Sequence, residues 1–252
     1  MTLDQLLEAL ANQELKNLVT TEEDGDTGVF SIRDKHKNGV IGHINSGLLD
    51  IFTKFELKLK EIIITTHPSV TTYQLASKYA KSDPTPVFSK YIDDTPNDLF
   101  KDDVLKIKEI YDDNGVRVPF NDANNDLSIF TLSYDTVQIV RNNGVRYAII
   151  YQAKHPELVY TPRTVTTNDA GEETVVTETD GTQRIEMHPS LIEPLRVYVK
   201  AKVVGSRDGS DIASSVQILQ TYNLMLQDLL NSGIIKLDLE TGDNKLKDRG
   251  FV

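Results

Sequence analysis

The stretch "VVGSRDGSDIASSVQ", residues 203–217, sets Gly205, Ser206, Asp208, Gly209, Ser210 and Asp211 between two apolar runs. It can be read as a phosphate cradle or as the turn between two helices. A cradle needs a buried strand before the glycines and a lysine followed by Ser or Thr after them. Here the preceding residues have helical spacing, no lysine follows, and two aspartates would repel a phosphate. The same aspartates suit a helix start, Asp208 as N-cap and Asp211 in the first turn, where negative charge meets free N–H groups. The stretch therefore reads as the turn of an αα-hairpin.

Working outward, both flanks are helical. Upstream, Pro189 suits a first helical turn, and Leu191, Ile192, Leu195, Tyr198, Val199 and Val203 form one stripe. Pro194 lies inside it and predicts a kink or a restart. Downstream, Ile212, Val216, Leu219, Tyr222, Leu226, Leu229 and Leu230 form another stripe, closed by Gly233. Near the N-terminus, Thr2 to Gln5 reads as a capping box. Leu3, Leu6, Leu7, Leu10 and Leu15 follow it on one face, and "TTEEDGDTG" ends that helix in a polar acidic loop. A longer helix is predicted from about Asn38, with Val40, Ile41, Ile44, Leu48, Ile51, Phe52, Phe55, Leu59 and Ile62 inward. Glu56 and Lys60 are placed four apart on its outer side.

Between residues 65 and 186 the helical period vanishes. "IKEIYDDNGVRV" predicts a hairpin turning at Asn114-Gly115, and "VQIVRNNGVRYAIIYQA" another turning at Asn142, Asn143 and Gly144. "RTVTTNDAGEETVVTETDGTQRIEM" predicts further strands with turns at "NDAG" and Asp180-Gly181. Rich in threonine, valine and glutamate, they have little to bury and read as an exposed β-arm. The expected fold is α+β: a helical bundle of about four helices, from residues 1–64 and 188–232. A β-rich insertion, residues 65–187, lies between the second and third long helices, and residues 233–252 form an extended C-terminal tail.

Composition narrows the function. The 252 residues carry 27 Lys and Arg against 38 Asp and Glu, a net charge of -11. A sequence-specific nucleic-acid binder usually shows a basic footprint, whereas an acidic wall that DNA slides past fits this balance. There is no cysteine, which excludes disulfides, zinc–thiolate sites and cysteine nucleophiles. The N-terminus shows no basic n-region with an apolar core, and no apolar run approaches the roughly 18 residues needed to span a bilayer. No membrane partner is expected.

Three of the five histidines precede proline: His67, His155 and His188. They lie in distant segments, unlike ligands three or four apart on one helix, and each marks an element boundary. Asp122, Asn124 and Asp126 alternate as at the start of a calcium loop, but Leu127 and Ser133 stand where glycine and glutamate are required. Asp93, Asp94, Asp98, Asp102 and Asp103 gather in one acidic run. Paired carboxylates there could hold a cation or do acid–base work; a solvated loop is the plainer reading. No Gly-x-Ser-x-Gly, Walker A, dinucleotide or His-Glu-x-x-His motif is present. No catalytic, cofactor or metal residue is assigned. The tail carries Ile234, Ile235, Leu237, Leu239, Leu246 and Phe251 among charges. They suit a neighbouring chain or a terminal strand on their own domain.

Taken together, the organisation resembles the head-to-tail adaptors of tailed bacteriophages, the tail tubular protein A or connector adaptor family of short-tailed phages. "GHINSGLLDIFTKFELKLKEIIITT" is similar to the family's long helix leading into an extended strand. "HPSLIEPLRVYVKAKVVGSRDGSDIASSVQILQTYNLMLQDLL", with Ala201-Lys202, is similar to its closing helix pair, and "YAIIYQAKHPEL" to the strand before that pair. Residues 161–187 are longer than the family pattern. The resemblance implies a non-enzymatic virion protein made in the host cytoplasm. About a dozen copies would form a homo-oligomeric ring in the neck, around a channel through which genomic DNA passes without sequence-specific binding. It also implies that the tail residues named above dock on the portal protein, and that the β-arms face the next tail (nozzle) protein. Another virion role, head completion or tail termination, shares the ring but not the portal docking. From a different class, a cation-dependent enzyme would use the acidic loops between Asp93 and Asp126.

Overall fold

A computed structural model describes residues 1–139 except 17 and 19, residues 144–160, the backbone of 164–167 and 173–177, and residues 181–206 and 212–233. The class is mixed α+β, with four α-helices and several small sheets among these residues. The chain divides into two compact units. Among the described residues, one joins Met1–Phe55 to the chain from His155 to Gly233; the other is built on Glu56–Lys154.

The first unit opens with α1 (Leu3–Asn12). Its capping box is present: the Gln5 N–H donates to Thr2 Oγ1 at 3.3 Å and the Thr2 N–H donates to Gln5 Oε1 at 2.9 Å. Leu3, Leu6, Leu7 and Leu10 are buried. The N-terminal end of the chain is stitched to a distant segment. The Leu3 N–H donates to the Gln183 carbonyl and the Ile185 N–H to the Met1 carbonyl, each at 2.9 Å. The acidic stretch read as loop is a small hairpin of β1 (Thr21–Glu23) and β2 (Phe30–Ile32). Gly28, at φ 67°, makes its return possible. The short strands hold because Phe30 and Ile32 are buried and the Asn12 side chain bonds both backbone groups of Phe30 at 3.0 Å.

The long helix α2 spans Asp34–Lys54. It begins before the expected Asn38, with Asp34 in the first turn, where a carboxylate favours the N-terminus. It also ends earlier than the stripe predicted. Phe55 is already extended, at φ -118° and ψ 137°. From there "FELKLKE" alternates apolar and charged residues, a period of two that outweighs the accidental helical spacing of Phe55, Leu59 and Ile62. The expected Glu56–Lys60 pair is therefore not formed: Glu56 pairs with Lys108, and Lys60 with Asp103 at 2.5 Å.

The second unit contains β3 (Leu59–Thr65), β4 (Thr72–Gln74), β5 (Ile92–Asp93), β6 (Val104–Tyr111), β7 (Phe130–Ser133), β8 (Thr136–Gln138) and β9 (Arg146–Ala153). They form two antiparallel sheets, ordered β5-β3-β9-β6 and β4-β8-β7. In register, Ile62 faces Ile149 and Ile64 faces Tyr147. These side chains join Ile107 and Ile110 of β6 and Tyr73 and Val137 of the second sheet in one core. Asn114-Gly115 does turn the chain after β6, with Gly115 at φ 74° and Tyr111 bridged to Arg117. The second expected hairpin is not one. β8 pairs with β4 and β7, while β9 pairs with β3 and β6, so the two strands belong to different sheets. Asn142 and Asn143 lie outside the described residues.

Back in the first unit, β10 (Thr164–Thr167) pairs antiparallel with β11 (Glu173–Thr177); the exposure of that arm and its turn at residues 168–171 lie outside the described residues. A 3-10 turn, Pro189–Leu191, leads into α3 (Ile192–Gly205), and α4 (Ile212–Ser232) follows. Pro194 falls in the first turn of α3, where its missing N–H has no partner to lose. The restart comes at Ile192, where the 3-10 turn becomes α-helix. Asp208 and Asp211 lie outside the described residues, so their capping roles do too. What holds α3 against α4 is visible on either side of them. A Cβ on Gly205 would stand 2.7 Å from Ser215 Oγ, and that hydroxyl donates to the Ala201 carbonyl at 3.0 Å. No helix among the described residues is long and apolar enough to cross a membrane.

Candidate assembly surface

Helix α4 reads IASSVQILQTYNLMLQDLLNS, 21 residues with Asp228 as the only formal charge. Its inner face is built around Tyr222. The ring packs edge-on against Tyr198 with centroids 5.1 Å apart, and its hydroxyl donates to the Asp50 carboxylate of α2. Lys54 pairs with the same carboxylate at 2.7 Å and lies 5.2 Å over the ring. Burial, helped by Asp50, pushes the phenol far above its ordinary pKa, so it remains a donor.

The rest of the expected stripe is not buried. Only Tyr222 and Leu226 are enclosed; Ile212 is 70% exposed, Leu230 48% and Val216 47%, with Leu219 and Leu229 half-buried. The single stripe read from spacing is two faces about 100° apart. Ser215, Tyr222, Leu226 and Leu229 lie toward the chain's own helices. Ile212, Val216, Asn223 and Leu230 lie in water, with Leu219 on the boundary. A solvent face normally carries charge. This one carries glutamine, asparagine and threonine around large apolar side chains, the composition of a surface waiting to be covered. The absence of charge was legible in the sequence, but the spacing that marked a helix was read as one face.

The second unit also presents apolar side chains, at its loops and strand ends: Phe88 is 87% exposed, Tyr134 65% and Leu132 58%. The six tail residues expected at the portal, Ile234, Ile235, Leu237, Leu239, Leu246 and Phe251, lie outside the described residues.

Four of the five aspartates of the acidic run are occupied by their own chain. Asp93 accepts from Thr65 Oγ1 at 2.8 Å and pairs with Lys81 and Arg146. Asp94 binds the N–H and hydroxyl of Ser82, and Asp102 those of Ser77. Asp103, buried, meets Lys60 and the Tyr151 hydroxyl, the latter at 2.9 Å. Asp122 caps its own turn through the Asn124 N–H at 3.0 Å. No group of three or more metal-ligating side chains occurs among the described residues.

The three histidines that precede proline, His67, His155 and His188, sit at element ends as expected. Buried His155 accepts the Glu186 N–H on Nε2 at 3.1 Å and donates from Nδ1 to the Pro156 carbonyl at 2.6 Å, which sets its tautomer. His188 caps the 3-10 turn by accepting the Ser190 N–H. Between α1, β2 and α2 lies an open groove of about 560 Å³ with Leu7, Phe30 and Ile32 in its floor and Asp4, Glu8 and Asp34 at its rim. Lys37 there is shared by Asp34 at 2.8 Å and the Tyr160 hydroxyl at 3.1 Å. No protein-family model and no curated protein matches the chain.

Proposed function

We propose that the protein is a non-enzymatic structural subunit, a head-to-tail adaptor of a tailed bacteriophage. Copies gather in a ring between the portal and the tail, and DNA passes through without specific binding. In this reading the helices are a bundle and the β unit is an insertion turned toward the tail protein. The observation that carries the proposal is the outer face of α4: large apolar side chains in water on a helix with one charge. The order of elements supports it, since α2 runs into β3, β9 precedes the closing pair, and Pro189 starts that pair. So do the structural partners of Asp93, Asp94, Asp102 and Asp103 in the acidic run, whose carboxylates are employed in holding loops together.

Negative-stain electron microscopy of the protein, alone and mixed with the portal protein from the same genome, tests the proposal. A ring stacked coaxially on the portal is the expected result. Rings without portal association would favour a tail-terminator role, and dispersed monomers in both samples would overturn the ring.

A further inference from the structure

We infer that in the free protein the outer face of α4 is covered by the same face of a second copy, the two helices parallel and in register. The inference rests on the assembly reading of this face, and it adds the partner and the geometry. Ile212, Val216, Leu219, Asn223, Leu226 and Leu230 follow one another at steps of four, three, four, three and four. That is the a/d repeat of a coiled coil, with Val216, Asn223 and Leu230 at a and Ile212, Leu219 and Leu226 at d. Leu226 is already enclosed by its own chain, and the others are exposed or half-exposed.

The polar residue in the middle chooses the occupant. In water the Asn223 carboxamide is satisfied; under an apolar cover it needs a partner with both a donor and an acceptor. An antiparallel copy centred on the helix would set Asn223 against Leu219 and leave it unpaired. A parallel copy in register sets carboxamide against carboxamide, each donating to the other. The open flank carries Ala213, Gln220 and Gln227, and the inner flank Ser215, Tyr222 and Leu229. Without charge on either flank, identical helices do not repel, and nothing selects a partner of opposite charge. The seam is short, about 30 Å, so association is weak and rises with concentration.

The chain has no cysteine, so one introduced thiol reports one position. Full-length Val216→Cys, Leu219→Cys and Asp228→Cys proteins are oxidised mildly at high concentration and run without reductant. Covalent dimers are expected for Val216→Cys and Leu219→Cys and not for Asp228→Cys, which lies off the seam. Sedimentation should show Asn223→Val associating about tenfold more tightly and Asn223→Lys more weakly. Equal cross-linking at all three positions, or a monomer at every concentration, would overturn the paired face. Cross-links that form only when two different single-thiol variants are mixed, between unlike positions as a head-to-tail ring requires, would also overturn it while leaving the ring intact. A Val216→Cys dimer with no ring on the portal would do the reverse.

Discussion

The Asn45 carboxamide holds both backbone groups of Leu158: its Nδ2 donates to the carbonyl at 2.8 Å and its Oδ1 accepts the N–H at 3.0 Å. A side chain on α2 thus completes an extended segment 113 positions later. Asn12 does the same for Phe30. Leu158 is 3% exposed, so removing the amide leaves two buried backbone groups unpaired. Asn45→Ala should cost about 1–3 kcal/mol in chemical denaturation. An unchanged midpoint would mean that water replaces the amide.

Two glycines of α2 should respond with opposite sign to alanine. A Cβ on Gly47 would stand 2.7 Å from Leu195 Cδ1 and 2.9 Å from Tyr198 Cδ1. Gly42 has nothing within 4 Å. Gly42→Ala should stabilise by about 0.5–1 kcal/mol through helix propensity. Gly47→Ala should destabilise by about 1–3 kcal/mol by forcing α2 from α3. The comparison fails if both raise the melting temperature.

Acid should weaken the two units in different windows. Burial lowers the His43 pKa, with Lys202 adding to it. A depressed folded pKa means stability is present above the unfolded value and lost as pH falls below about 6.5. Burial pushes Asp94 up, but hydrogen bonds from Ser82 and Phe100 outweigh it and hold the carboxyl below its ordinary value. Its contribution is lost as pH falls below about 4. Melting curves should show His43→Gln flattening the loss between pH 7 and 5.5, and Asp94→Asn flattening the loss between pH 5 and 3.

Charges placed on the two faces of α4 should separate folding from assembly. Leu226→Asp puts a carboxylate where the side chain is 2% exposed and should cost about 3–5 kcal/mol or prevent folding. Val216→Asp should stay within about 0.5 kcal/mol of the parent and lose self-association by light scattering. Equal damage from both would mean that the outer face is structural.

Ending the chain after Gly233, at φ 67° the last described residue, should leave the thermal melt of the helical unit unchanged. The same truncation should abolish co-sedimentation with the portal protein. Normal attachment would move the docking site away from Ile234 to Phe251.

Much of this was legible in residues whose roles are local. Thr2 and Gln5 announce α1, Pro189 announces α3, and Gly233 closes α4, because caps and turns are read within a few positions. The end of α2 was not, because Phe55 and Leu59 satisfy both periods, Ile62 fits the helical one, and only the intervening Glu56, Lys58 and Lys60 favour alternation. Nor was the separation of β8 from β9, since a glycine turn shows that the chain reverses and not which strand receives it. On α4 the spacing located the helix but not the boundary between its two apolar faces. That boundary depends on how far α3 reaches along it.

The stitching of Met1–Asp4 to residues 181–185 has a consequence for how the protein is made. On the ribosome Met1–Asp4 emerge long before residues 181–185, with the second unit of about a hundred residues translated between them. The middle of the chain can mature as soon as it leaves the exit tunnel, while the backbone groups of Met1, Leu3 and Asp4 wait for the last third of the message to be translated. A nascent chain stalled near residue 160 would hold one finished half and one sticky one. That half-built stage is where a chaperone would have most to do.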